Sequence, residues 1–184
     1  INAANRMGEN EVAVKAFLAD ENKMVLKYIK ELKGCKEAQN EEVDRLLPDV
    51  IEQCEQQLHK KMITVLIDTP YGVAGLLGNK LLEKYKRPIL VLKDVGNKYA
   101  GSMRAIGVDD FREICNDSHL AKVDGHELAA GIQINKNDFE QFLSYIENNL
   151  HELKLDTTVT VDIQINVSDI TRKLIDYIKQ IDLV

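Results

Sequence analysis

Two short stretches of this 184-residue chain hold residue types that could do chemistry. The first is Tyr99-Ala100-Gly101-Ser102-Met103-Arg104. Glycine lets a backbone come close to a ligand. A serine hydroxyl gives a phosphate one hydrogen bond, and an arginine fork adds a charge-assisted, bidentate pair. The plain alternative is a turn at the end of a strand. The second stretch is Asp124-Gly125-His126-Glu127-Leu128-Ala129-Ala130-Gly131. Its small residues would let the backbone pack tightly around an exposed imidazole. Here the alternative is a surface histidine beside a close-packed strand. His59, His119 and His151 stand singly and read as surface residues.

Phosphodiester hydrolysis by paired cations needs carboxylates and histidines clustered around two ions. No Asp-His-His, Asp-x-Asp or His-x-x-x-His occurs, so no residue is assigned as a metal ligand. Asp109-Asp110 reads as the capped start of a helix. Phosphate loops, dinucleotide loops and serine-hydrolase elbows are missing too. Cys35, Cys54 and Cys115 make no CxxC pair. They are expected to be buried or idle thiols in a reducing cytosol.

The elements that must position these residues follow from hydrophobic spacing. Glu9 to Asp20 reads as a helix carrying Val12, Phe17 and Leu18. A longer stripe runs through Val25, Tyr28, Ile29, Leu32, Val43, Leu46, Leu47, Val50, Ile51, Cys54 and Leu58, at spacings of three and four. Gly34 and Pro48 are points where that helix would break or kink. From Ile63 the pattern changes. A strand over Ile63–Ile67, a helix over Val73–Tyr85 and a strand over Pro88–Lys93 have the spacing of a parallel βαβ unit. Lys98–Ala105 is a third strand, Asp109–Asn116 a capped helix, Leu128–Ile134 a strand and Asp138–Leu150 a helix. Val159, Val161, Ile163, Ile165 and Val167 alternate with polar residues, as in a half-buried strand. Ser168 is the expected cap of a last helix with Ile170, Leu174, Ile175 and Ile178 on its apolar side.

Composition sets the frame. Hydrophobic residues at 45% and charged residues at 29% fit a globular chain with a real core. The longest apolar runs are too short to span a bilayer, and no secretory signal pattern opens the chain, so a cytoplasmic location is expected. The chain starts with Ile1 and not Met, which points to a piece of something longer. A net charge of −6 argues against bulk electrostatic attachment to nucleic acid and leaves room for a local basic groove.

Taken together, four collinear motifs resemble RecJ-type single-strand DNA exonucleases, of the DHH phosphoesterase superfamily. Ile1-Asn2-Ala3-Ala4-Asn5-Arg6-Met7-Gly8 is similar to that family's INAAGR(L/M)G segment. Gly72-Val73-Ala74-Gly75 through Arg87-Pro88-Ile89-Leu90-Val91-Leu92 resembles its GVxG…RPxLVL run. Gly101-Ser102-Met103-Arg104 matches GSxR, and Gly125-His126 with Ala129-Ala130-Gly131 matches GGHxxAAG. Asn5 stands for a usual Gly, Asp124 for the first Gly of GGH, and Tyr71 for a common His.

The resemblance implies an α/β fold. A helical connector over 1–60 would lead to a DHH-associated substrate-binding domain over 61–152, with a mixed sheet flanked by helices. A strand-helix extension would begin at 153–184. The parent would degrade single-stranded DNA from the 5′ end with two divalent cations, manganese or magnesium. The catalytic domain holding them lies outside this chain, which is expected to bind no metal and to be inactive alone. Arg6, Gly101, Ser102, Arg104 and Gly125 would hold the DNA end and backbone, and His126 would touch the scissile region. The partners implied are single-stranded DNA, the missing N-terminal domain and, through the connector, a second copy. Two other readings stand: a non-catalytic single-strand-binding or accessory module, and a phosphoesterase of short oligonucleotides.

Overall fold

The computed structural model describes residues 1–151 and 164–181. Three helices come first: α1 (Asn2–Arg6), α2 (Asn10–Leu18) and α3 (Asn22–Glu55). Helix α3 runs in one piece through both Gly34 and Pro48, so of the break or kink that the sequence allows there, the break does not occur. An interior proline costs a helix about 3 kcal/mol. Val43, Leu46, Val50 and Cys54 surround that point on the buried side of α3 and hold it on the sheet. Burying four such side chains outweighs the defect, at roughly 1.5–3 kcal/mol for each large one. Nearer the start of the chain the apolar stripe is not covered. Phe17 and Leu18 on α2 are 73% and 72% exposed.

The strands are β1 (Ile63–Leu66), β2 (Ile89–Val95), β3 (Lys98–Arg104), β4 (Ala121–His126) and β5 (Ala129–Asn135). They form one sheet in the order β1-β2-β3-β5-β4. β1 and β2 are parallel, joined by α4 (Ala74–Tyr85), as the βαβ spacing predicts. The remaining pairs are antiparallel. Side chains alternate across β2, so its run of four buried residues feeds two cores. Ile89 and Val91 join Val50, Leu77 and Leu81 beneath α3 and α4. Leu90 and Leu92 join Met103, Ile132, Phe111 and Phe142 beneath α5 (Phe111–Asp117) and α6 (Phe139–Asn149). The fold is therefore a mixed α/β sheet with helices on both faces. Asp110 caps α5, its Oδ1 accepting the Glu113 amide at 2.8 Å. The three thiols are free, and burial raises Cys54 to about 11 and Cys115 to about 12.

Strand β4 is the element that sequence reasoning missed. It is an edge strand carrying Lys122, Asp124 and Gly125, residue types poorly suited to strands. It holds because α5 closes its outer edge. Asn116 Oδ1 accepts the Val123 amide at 3.3 Å, and Arg112 Nη1 donates to the Gly125 carbonyl at 3.1 Å. The alternating segment from Val159 lies outside the described residues as far as 163. In the part described, a 3-10 turn over Val167–Asp169 precedes α7 (Arg172–Ile181). Ser168 sits in that turn and does not cap the helix. The Thr171 hydroxyl does, accepting the Leu174 amide at 3.2 Å.

Two contacts carry measurable consequences. At Gly101 the backbone of β2 comes so close that a Cβ would be driven into the Val91 carbonyl oxygen. Gly101→Ala is expected to lower the free energy of unfolding by about 1–3 kcal/mol or more, read by urea denaturation. The second contact joins α3 to the loop after β1. Arg45 donates to both Glu42 carboxylate oxygens at 2.9 and 2.8 Å, and to the Asp68 carbonyl at 3.2 Å. Those bonds, with a smaller one from Thr69, hold the Glu42 carboxyl at about 2 against an ordinary 4.5. A depressed carboxyl stabilises the fold above its unfolded value. That contribution should fade as pH falls from about 4.5 towards 2, and Glu42→Gln should remove this part of the pH dependence in the window. Because Arg45 is largely exposed, the effect should be roughly 1 kcal/mol.

Candidate nucleic-acid interface

Arg104 is the last residue of β3, and its side chain lies between the sheet and α4. This is possible because α4 carries Gly75 and Gly78 on the side facing β3. A Cβ at Gly75 would fall 2.7 Å from Arg104 Nη2 and 3.4 Å from Ser102 Oγ; one at Gly78 would fall 3.0 Å from Arg104 Cγ. The guanidinium is held in place by Nε donating to Asn79 Oδ1 at 2.6 Å and Nη1 donating to the Met103 carbonyl at 2.7 Å. Burial lowers its pKa first and the nearby charge of Arg6 second, yet a guanidinium keeps its proton.

Arg6 reaches the same place from the end of α1. Its carbonyl accepts the Gly72 amide at 2.9 Å, which pins α1 to the loop before α4. Its Nη1 donates to Oε1 of Gln39, a residue of α3 that is 1% exposed. Among the described residues no carboxylate forms an ion pair with either arginine. The charge of Arg6 is thus near enough to act on Arg104, and Ser102 lies beside Arg104. The start of α4 points its first amides at this loop with no side-chain cap. Unpaired amides and the helix dipole favour an anion there. The set matches the chemistry of a phosphate.

His126 belongs to the same face of the sheet. It pairs with Ala129 of β5, and Ala129 pairs with Arg104 of β3. Paired residues in antiparallel strands share a face, and strands lie about 4.8 Å apart, so His126 stands roughly 10 Å along this row from Arg104. Gly125 has φ +138°, and a Cβ there would meet Ala130 Cα at 2.8 Å. Glycine is therefore required to bring β4 this close to β5 ahead of His126. Gly101 serves close packing of β3 on β2 and offers the site only its backbone. The structure thus sets Ser102 and Arg104 side by side, with Arg6 near enough for its charge to act on Arg104 and His126 further along the sheet. Gln39 and Asn79, which hold the two arginines, had no sequence signal beyond being polar. Gly75 and Gly78, three residues apart on one helix, are a signal that a side chain must pass beneath.

The divalent cations implied by the resemblance do not fit here. No group of three or more His, Cys, Asp or Glu among the described residues is arranged to hold a metal. Asp110 is occupied by its helix cap and by Arg112 at 3.0 Å.

Gly75→Ala tests the arrangement. The added methyl should displace the flexible end of Arg104 and leave the fold intact. Phosphate affinity is expected to fall about tenfold or more, measured by isothermal titration, with little change in melting temperature. An unchanged affinity would mean that the position of Arg104 beneath α4 is not what binds.

Comparison with known proteins bears on the family and the fold. A family model described as the DHHA1 domain matches residues 56–152. Bacillus subtilis RecJ, named a single-stranded-DNA-specific exonuclease, is 25% identical over 182 residues, covering 93% of this chain and 23% of its own. The Haemophilus influenzae protein of the same name is 23% identical, over 98% of this chain and 34% of its own. The chain therefore spans between about a quarter and a third of such relatives. A crystal structure of Thermus thermophilus RecJ with Mg2+ superposes with a TM-score of 0.72 at 23% identity, over 84% of this chain and 25% of that one. With the family model matching just over half of its length, this chain belongs to the DHHA1 domain family, in the form that RecJ-type proteins carry.

Proposed function

We propose that this chain is the substrate-gripping part of a RecJ-like single-strand DNA exonuclease and holds the 5′-terminal phosphate of its strand. The supporting observation is the Arg6–Arg104 pair. Two guanidinium groups that repel each other, with no carboxylate pairing either among the described residues, are most stable with an anion between them. Ser102 and the uncapped start of α4 add neutral donors. A net charge of −6 makes long-range attraction of DNA weak, so affinity rests on these local contacts. His126 would then face the backbone further along the strand, towards a metal-holding domain contributed by the rest of the protein.

A 5′-phosphorylated oligodeoxynucleotide should bind the chain at least tenfold more tightly than its 5′-hydroxyl counterpart, measured by fluorescence anisotropy at fixed salt. Arg104→Ala should erase that difference, a loss of about 1.5–3 kcal/mol for a charged hydrogen-bonded contact. Equal affinity for both oligonucleotides, or an Arg104→Ala variant that still tells them apart, would refute the gripping role. With no metal-holding cluster among the described residues, the chain alone should release no nucleotides from single-stranded DNA in the presence of Mn2+.

A further inference from the structure

Ser102 pairs with Gly131 of β5, and Gly131 pairs with Asp124 of β4. The Ser102 hydroxyl and the Asp124 carboxylate therefore rise from one face of the sheet, on strands roughly 10 Å apart, with a bare glycine between them. The neighbouring row on that face is Arg104, Ala129 and His126. Helices α3 and α4 cover β1, β2 and β3 but leave the face of β5 and β4 open. Gly131, Asp124 and His126 are all exposed.

The glycine at 131 is not needed by the backbone. A Cβ there would meet only the Asp124 carbonyl at 3.7 Å and the Gly101 carbonyl at 3.9 Å, which is ordinary contact, and its φ is not left-handed. Gly101 and Gly125 are different, since a Cβ at either would strike the neighbouring strand. A strand interior favours a branched or aromatic side chain over glycine. Position 131 thus gives up strand stability to keep clear the space between Ser102 and Asp124.

Asp124 sits across that space with no ion-pair partner among the described residues. The nearest basic side chain of α5, Arg112, is taken by Asp110 and by the Gly125 carbonyl. A carboxylate repels phosphate and can only accept hydrogen bonds. It therefore suits a neutral donor on the same ligand whose phosphate the arginines attract. We propose that Asp124 is a specificity residue. It accepts a hydrogen bond from a nucleoside donor, either an exocyclic amino group or a sugar hydroxyl, while the nucleoside ring lies over Gly131. This rests on the phosphate reading of Arg6 and Arg104 and adds to it a preference among end nucleotides. Cytosine presents an amino group where thymine presents only a carbonyl, and a ribonucleotide adds a 2′-hydroxyl.

The test uses the whole 184-residue chain with three 5′-phosphorylated oligonucleotides that differ only in the terminal residue: deoxythymidine, deoxycytidine or cytidine. Inorganic phosphate serves as a nucleoside-free competitor. Deoxycytidine binding about fivefold or more tighter than deoxythymidine assigns the amino group; cytidine binding tighter than deoxycytidine assigns the hydroxyl. Asp124→Ala should bring the ratios to one. Gly131→Val should weaken all three oligonucleotides at least tenfold and leave competition by inorganic phosphate unchanged. Gly131→Ala, a milder change, should raise the melting temperature while still weakening the oligonucleotides. Wild-type ratios of one, ratios that survive in Asp124→Ala, or full oligonucleotide affinity in Gly131→Val would each overturn this inference. If Arg104→Ala leaves phosphate competition intact, the underlying phosphate reading fails instead.

Discussion

Helix α4 can lie against β3 only because two glycines, Gly75 and Gly78, leave a channel for one long side chain. Most of the candidate site depends on that close approach. It fixes where Arg104 emerges, which amides at the start of α4 remain unpaired, and how near Arg6 must come when α1 docks on the following loop. With larger residues at 75 or 78, the helix would stand off the sheet or the guanidinium would be expelled. Either change would separate the charges that make the place attractive to an anion.

The sheet divides its labour by face and by strand. β2 is buried on both sides and serves two cores, so it tolerates little change. β5 is buried on one side through Ala130, Ile132 and Ile134, and open on the other through Ala129, Gly131 and Gln133. Stability thus comes from one set of alternate positions and exposure from the next. The functional residues can vary along the open side while Phe111, Phe142 and Ile146 hold the opposite side fixed.

How far this was legible in the sequence differs element by element. The run Ile89-Leu90-Val91-Leu92 has no alternation because both its faces are buried, and its length marked it correctly as a strand. The parallel pair followed from βαβ spacing. β4 left little trace, because an edge strand needs few apolar residues and here takes support from Asn116 and Arg112 on the preceding helix, which no strand pattern reveals. Pro48 suggested a helix break that burial of the surrounding turns overrides. At the site, Ser102 and Arg104 were visible as a motif. The register that lines up Ser102, Gly131 and Asp124 was not, because it depends on pairing β3 with β5 across an intervening helix and strand.

The confinement of Arg6 beside Arg104 links ligand occupancy to folding. The two residues lie nearly one hundred positions apart in sequence, and in an unfolded chain their charges have no reason to meet. Folding buries Arg104, which lowers its pKa most, and brings Arg6 near enough to add a smaller repulsion. An anion bound between them, as proposed, would relieve that repulsion in the folded state alone and so act as a thermodynamic clamp between α1 and the sheet. On that proposal the opening segment of the chain would be tightest when the site is filled, and emptying the site would loosen the hold of α1 before it disturbed either core.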